Sequence, residues 1–113
     1  MRSPGAETRL WLAQRASAVV LALCVAVHLV TMIAAVRGGL TAAEMLGRTR
    51  GSMMWATFYG LFVLAVSIHA PIGLRTVASE WLGWRGRTAD AACVIVGVAL
   101  LLLGARAILA VTL

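Results

Sequence analysis

Three stretches without a charged side chain decide what this chain can become. Residues 16–36 form the first, 21 residues long, and residues 51–74 the second, with 24. The third, residues 91–105, is interrupted by Arg106 and then continues apolar to Leu113. A helix rising 1.5 Å per residue crosses the ~30 Å hydrocarbon core in about 20 residues. Lipid offers no hydrogen bonds to a bare backbone, so a spanning segment is a helix or a strand of a closed barrel. These runs lack the alternation of barrel strands. The chain is therefore read as an all-α membrane protein. Three transmembrane helices, about residues 12–36, 52–76 and 90–112, form an antiparallel bundle in a single domain, 1–113. Arg106 is expected to snorkel to the interface. The first run is too long for a signal-peptide core and is expected to be retained.

Composition agrees. Hydrophobic residues make up 62 % of the chain and charged residues 12 %, about half the charged share of a typical soluble domain. All ten basic residues are arginine, against Glu7, Glu44, Glu80 and Asp90, for a net charge of +6. That charge sits on short polar segments, which suits membrane lipid with anionic headgroups and gives nucleic acid no folded basic face. Arg2, Arg9, Arg15, Arg75, Arg85 and Arg87 fall on one side of the membrane. Arg37, Arg48, Arg50 and Arg106 fall on the other, so the N-terminus is expected in the cytoplasm.

The connections are short. Thr41-Ala42-Ala43-Glu44 matches a capping box and predicts a small interfacial helix. Trp11, Trp55, Trp81 and Trp84 suit interface anchoring. No soluble catalytic domain fits outside the bilayer, and no Ser-His-Asp set, paired carboxylate or phosphate loop is present. Cys24 and Cys93 lie in apolar runs without a C-x-x-C-H pattern and read as small packing residues.

Two histidines remain, His28 in the first span and His69 in the second. An ionisable side chain inside a span is costly and marks function by default. Each could be an axial ligand to haem iron. Each could equally be a neutral imidazole bonded across a helix interface, worth roughly 1 kcal/mol. On the helical period Gln14, Ser17, Leu21, Cys24 and His28 share one face, and Phe62, Ala65, His69, Gly73 and Thr76 another. The small members leave room for a flat macrocycle. Pro71 frees the Ser67 carbonyl and is expected to kink the helix beside His69. Arg75 lies six residues past His69, about 9 Å along the axis, a distance suited to a haem propionate.

The segment His69-Ala70-Pro71-Ile72-Gly73-Leu74-Arg75, followed by Ser79-Glu80-Trp81, resembles the second helix of the cytochrome b membrane anchors of succinate dehydrogenases and fumarate reductases. Gln14-Arg15-Ala16-Ser17-Ala18 resembles that family's Arg/Ser segment on the first helix. Three spans with short polar ends match as well. The resemblance implies a haem b-binding anchor subunit that relays electrons between an iron–sulfur subunit and membrane quinone. The dicarboxylate chemistry then sits on flavoprotein and iron–sulfur partner subunits, and this chain has no dicarboxylate active site of its own. It implies a bacterial inner-membrane location. His69 matches the axial ligand, and Arg15 the arginine beside the propionates and quinone. Ser17, Arg15, Glu80 and Trp81 are the implied quinone residues. Glu80-Trp81 stands where single-haem anchors carry Asp-Tyr, and an indole donates a hydrogen bond but does not accept one.

His28 has a counterpart in the two-haem branch. It lies 13 residues past Arg15, about 20 Å, so the two histidines differ in height by roughly 10 Å and do not share an iron. One or two haems are expected, each completed by a second anchor chain, identical or different. Arg37 or Arg106 would face the propionates of a haem on His28. The other readings are a cytochrome b anchor of another quinone-linked dehydrogenase, and a cofactor-free small transporter or structural anchor.

Overall fold

A computed structural model describes residues 3–113. Four helices follow in order: α1 (Pro4–Arg37), α2 (Ala42–Thr49), α3 (Met53–Trp81) and α4 (Arg87–Thr112). The three long ones are each apolar enough to span a membrane. Arg2, one of the six arginines assigned to the cytoplasmic side, lies outside the described residues.

The spans are longer than the uncharged runs suggest. Helix α1 starts eight residues before the expected position, because Pro4 fits the first turn and the Ser3 hydroxyl accepts a hydrogen bond from the Ala6 N–H. Glu7 adds a negative charge where the helix dipole favours one. Helix α3 continues five residues past Thr76. Charges stop a hydrophobic run without stopping a helix once the chain has left the lipid. The molecule is 51 Å long, so its helices project beyond a ~30 Å hydrocarbon layer.

Helix α2 forms where its capping box predicts. The Thr41 hydroxyl accepts from the Glu44 N–H, and the Glu44 carboxylate accepts from the Thr41 N–H at 2.7 Å. Two bonds fasten this corner to the end of α4. The Thr49 hydroxyl donates to the Val111 carbonyl at 2.6 Å, and the Gly51 N–H donates to the Thr112 carbonyl at 2.8 Å. Gly51 reaches that carbonyl with φ +71°, a backbone angle that side chains disfavour. Thr41→Ala is expected to lower α2 stability by about 1 kcal/mol. Faster amide exchange over residues 42–45, with exchange in α3 unchanged, is the measurement.

Helix α3 lies between the other two spans and packs on both. His28 of α1 meets Tyr59 and Phe62, while Gln14 meets Gly73, so α1 and α3 run antiparallel. On the other side Gly104 faces Val63 and Gly97 faces Pro71, so α3 and α4 are antiparallel too. The buried positions are small: Ser17, Cys24, Ala35, Ala65, Ala78, Ala89 and Thr112. Large apolar side chains such as Leu23, Val30, Ile95 and Leu102 point outward. In lipid this is the expected division, since close backbone approach drives helix association and exposed leucine costs nothing. Helix α3 runs unbroken through Pro71. The carbonyl that Pro71 leaves without an intrahelical donor, that of Ser67, faces Gly97.

Candidate functional site

Helix α3 turns one face to α1 and another to α4, and the space left between these contacts is a cleft of about 1170 Å³. Trp11, Gln14 and Arg15 line it from α1, and Ser67, His69, Gly73 and Arg75 from α3. Asp90, Cys93 and Gly97 line it from α4.

Three buried side-chain atoms among the described residues have no hydrogen-bond partner: Gln14 Oε1, Ser67 Oγ and His69 Nδ1. All three residues line this cleft. An unsatisfied buried polar atom costs about 1–3 kcal/mol, so native structures keep few of them. Their grouping in one cavity is the pattern a polar ligand would explain. Gln14 is held there by the close approach of α1 to Gly73, where an added Cβ would lie 3.2 Å from the amide nitrogen.

Charge frames the mouth. Arg15 is exposed and stacks its guanidinium over Trp11, 5.4 Å from the ring centre. Arg75 donates from Nε to Asp90 at 2.5 Å, an ion pair that ties α3 to α4 at the cleft. Asp90 was not among the residues that sequence reasoning selected. Its signal was available, since a short turn after Arg75 brings the start of α4 back to that level.

The other expected site residues lie elsewhere. Ser17 is buried between helices, and its hydroxyl donates to the Gln14 carbonyl rather than facing the cleft. Glu80 and Trp81 are exposed at the end of α3, with Trp81 at 82 %. Neither lines the cleft. His28 sits among aromatic rings. Its imidazole meets Tyr59 and Phe62 edge-on at 5.9 and 5.7 Å, and Nδ1 lies 3.5 Å from the Tyr59 hydroxyl. These contacts put His28 about 10–15 Å along α3 from His69. Arg37 is exposed at the end of α1, and Arg106 is exposed on the side of α4 turned away from Gly104.

No group of three or more His, Cys, Asp or Glu among the described residues could hold a metal ion. Comparison with curated proteins and with solved structures gives no match. Comparison with protein families does: the succinate dehydrogenase/fumarate reductase transmembrane subunit matches residues 1–105.

Proposed function

Because the chain belongs to the succinate dehydrogenase/fumarate reductase transmembrane subunit family, we propose that it is a haem b-binding anchor passing electrons between an iron–sulfur partner subunit and membrane quinone. The observation that carries this reading is that three residues with unpartnered buried polar atoms, His69 among them, line one cleft whose mouth carries Arg15 and the Arg75–Asp90 pair.

The residues present fit a haem. His69 offers an imidazole, a side chain that would serve as a ligand to haem iron. Gly73 and Gly97 line the cleft while letting Gln14 and Pro71 approach closely beside it. Arg15 and Arg75 line the cleft with Glu7 and Asp90; Arg75 is paired with Asp90, so Arg15 is the cation that would hold a carboxylate-bearing edge. A haem bound there supplies a one-electron carrier inside the membrane.

The protein's own part is placement and exclusion. Leu64, Ile68, Ile72 and Leu101 make much of the cleft wall apolar. In that setting the unpartnered Gln14 and Ser67 act as hydrogen-bonding groups toward whatever polar edge enters. Arg15 is exposed at the rim beside Trp11, where it would donate to a quinone carbonyl. Ser17 supports Gln14 from behind. Trp81 stands at the headgroup level, where its indole N–H could meet a quinone as it enters. A second anchor chain, identical or different, would close the open side and would supply any further ligand the haem needs. The N-terminal end then faces the cytoplasm and the iron–sulfur and flavoprotein partners, in a bacterial inner membrane.

We assign one haem, to His69. At His28 the geometry favours the interhelical alternative, since its ring is already packed edge-on against two aromatic rings and it lines neither this cleft nor a second recess. His28→Leu is expected to leave the haem-to-protein ratio unchanged; halving of that ratio would restore a second haem.

Activity separates the quinone step from the rest. Arg15→Gln in the assembled complex is expected to lower succinate–quinone reductase turnover about tenfold. Dye-linked succinate oxidation, which bypasses the membrane, should stay within twofold. A loss of one charge-assisted hydrogen bond in a dry site is of this size. Equal losses in both assays would remove Arg15 from the quinone path.

A further inference from the structure

A second recess lies at the opposite end of the bundle, where α2 covers the last turns of α1 and the start of α3. It measures about 420 Å³, at the small end of the ~300–1,000 Å³ range of small-molecule pockets. Met32, Leu40, Met45 and Trp55 make its walls apolar, and Arg48 is the one charged residue that lines it. Met45, Arg48 and Thr49 face inward together because they are spaced i, i+3 and i+4 on α2.

Depth and charge identify the occupant. The bonds from Thr49 and Gly51 to the final turn of α4 hold α2 where the third apolar run ends, at the level of lipid headgroups. Arg37, Arg48, Arg50 and Arg106 belong to this half of the molecule, against the single acid Glu44. Glu44 is engaged in capping α2 through the Thr41 N–H. Among the described residues Arg48 has no carboxylate partner. A full positive charge at the rim of an apolar recess, at headgroup depth, matches a molecule with an anionic head and a hydrocarbon chain.

We propose that this recess binds an anionic phospholipid, its phosphate on Arg48 and the upper part of one acyl chain against Met45 and Trp55. The site is separate from the His69 cleft and stands whether or not that cleft holds a haem. The lipid fills the angle between α1 and α2, bracing a helix whose hydrogen bonds to another span, among the described residues, go to α4.

Trp55 reports directly on the site. The full chain with Trp11, Trp81 and Trp84 replaced by Phe is reconstituted in phosphatidylcholine bilayers, and dibrominated phosphatidylglycerol or dibrominated phosphatidylcholine is added. Half-maximal quenching of Trp55 is expected at an about fivefold lower mole fraction of the anionic lipid, the preference one arginine near the surface confers. Arg48→Gln should abolish that preference and Arg48→Lys should keep it. Inorganic phosphate in the buffer should not relieve quenching. Equal quenching by both lipids, persistence of the preference in Arg48→Gln, or displacement by inorganic phosphate would each overturn the proposal. Should the phenylalanine replacements spoil the fold, counting phosphatidylglycerol retained through detergent exchange by the unaltered chain and by Arg48→Gln decides the same question. One lipid per chain lost in the variant is expected, and no loss overturns it.

Discussion

His69→Ala is expected to remove the low-spin haem b absorbance from the purified complex, leaving only background Soret intensity. The imidazole is the one histidine lining the main cleft, and its Nδ1 has no protein partner. Deleting it would take away the proposed ligand from a residue that lines the cleft, so the helices should still assemble. Circular dichroism should therefore show unchanged helicity while the haem is lost. Free imidazole added to the variant should restore part of the spectrum, because the side chain leaves a space of its own shape. A spectrum and haem content equal to the unaltered complex would show that His69 is not the ligand. Unfolding of the variant would instead point to a packing role, and the imidazole arm separates the two outcomes.

The second large effect concerns the seam between α3 and α4. A Cβ built on Gly104 would lie 2.5 and 2.7 Å from the two methyls of Val63, and on Gly97 2.9 Å from the Pro71 ring. Neither neighbour can yield easily. Valine has one stiff torsion on a helix and proline has none to spare. Gly104→Ala should therefore push the helices apart and lower stability by about 1–3 kcal/mol, the usual range for overpacking. A larger side chain such as leucine should prevent stable assembly. The double variant Gly104→Ala with Val63→Ala should recover most of the loss, since the two positions are in contact and couple. Denaturation in detergent, followed by loss of helicity, measures both. An unchanged midpoint in Gly104→Ala would mean that the two helices have more freedom than their close approach implies.

Much of the architecture was readable in advance because lipid narrows the choices. A run of about 20 uncharged residues in hydrocarbon has to satisfy its own backbone, and a helix does this locally. The three spans and their antiparallel order follow from run lengths and short connections alone. The α2 helix was equally legible, because the Thr41 and Glu44 cap is a pattern contained within four residues. The helices extend past the uncharged runs for a related reason: Arg15 ends the first run without ending α1, and Glu7 is good company for a first helical turn.

The site was partly legible. His69 and Arg75 share one helix, so their separation is set by its rise, and both reach the same cleft. Arg15 also lines it. Ser17 lies on the predicted face of α1, yet that face meets α3 so closely that the hydroxyl turns back to the Gln14 carbonyl. Glu80 and Trp81 follow the motif in order but lie past the cleft, because α3 continues to Trp81 through Pro71.

What the sequence determined by itself was the set of elements: each span, its cap and the spacing of residues along it are local properties of a polymer in lipid. What only the tertiary structure decided was which faces meet. No gradient of hydrophobicity pulls one apolar helix face toward another inside a bilayer, so partners are selected by shape and by a few polar bonds. That selection placed α3 in the middle, joined Arg75 to Asp90, left Gln14, Ser67 and His69 to open on a common cleft, and pressed His28 against Tyr59 and Phe62. Both histidines carry the same sequence signature. They differ because one lies where three small-residue contacts leave a space, and the other where aromatic rings fill it.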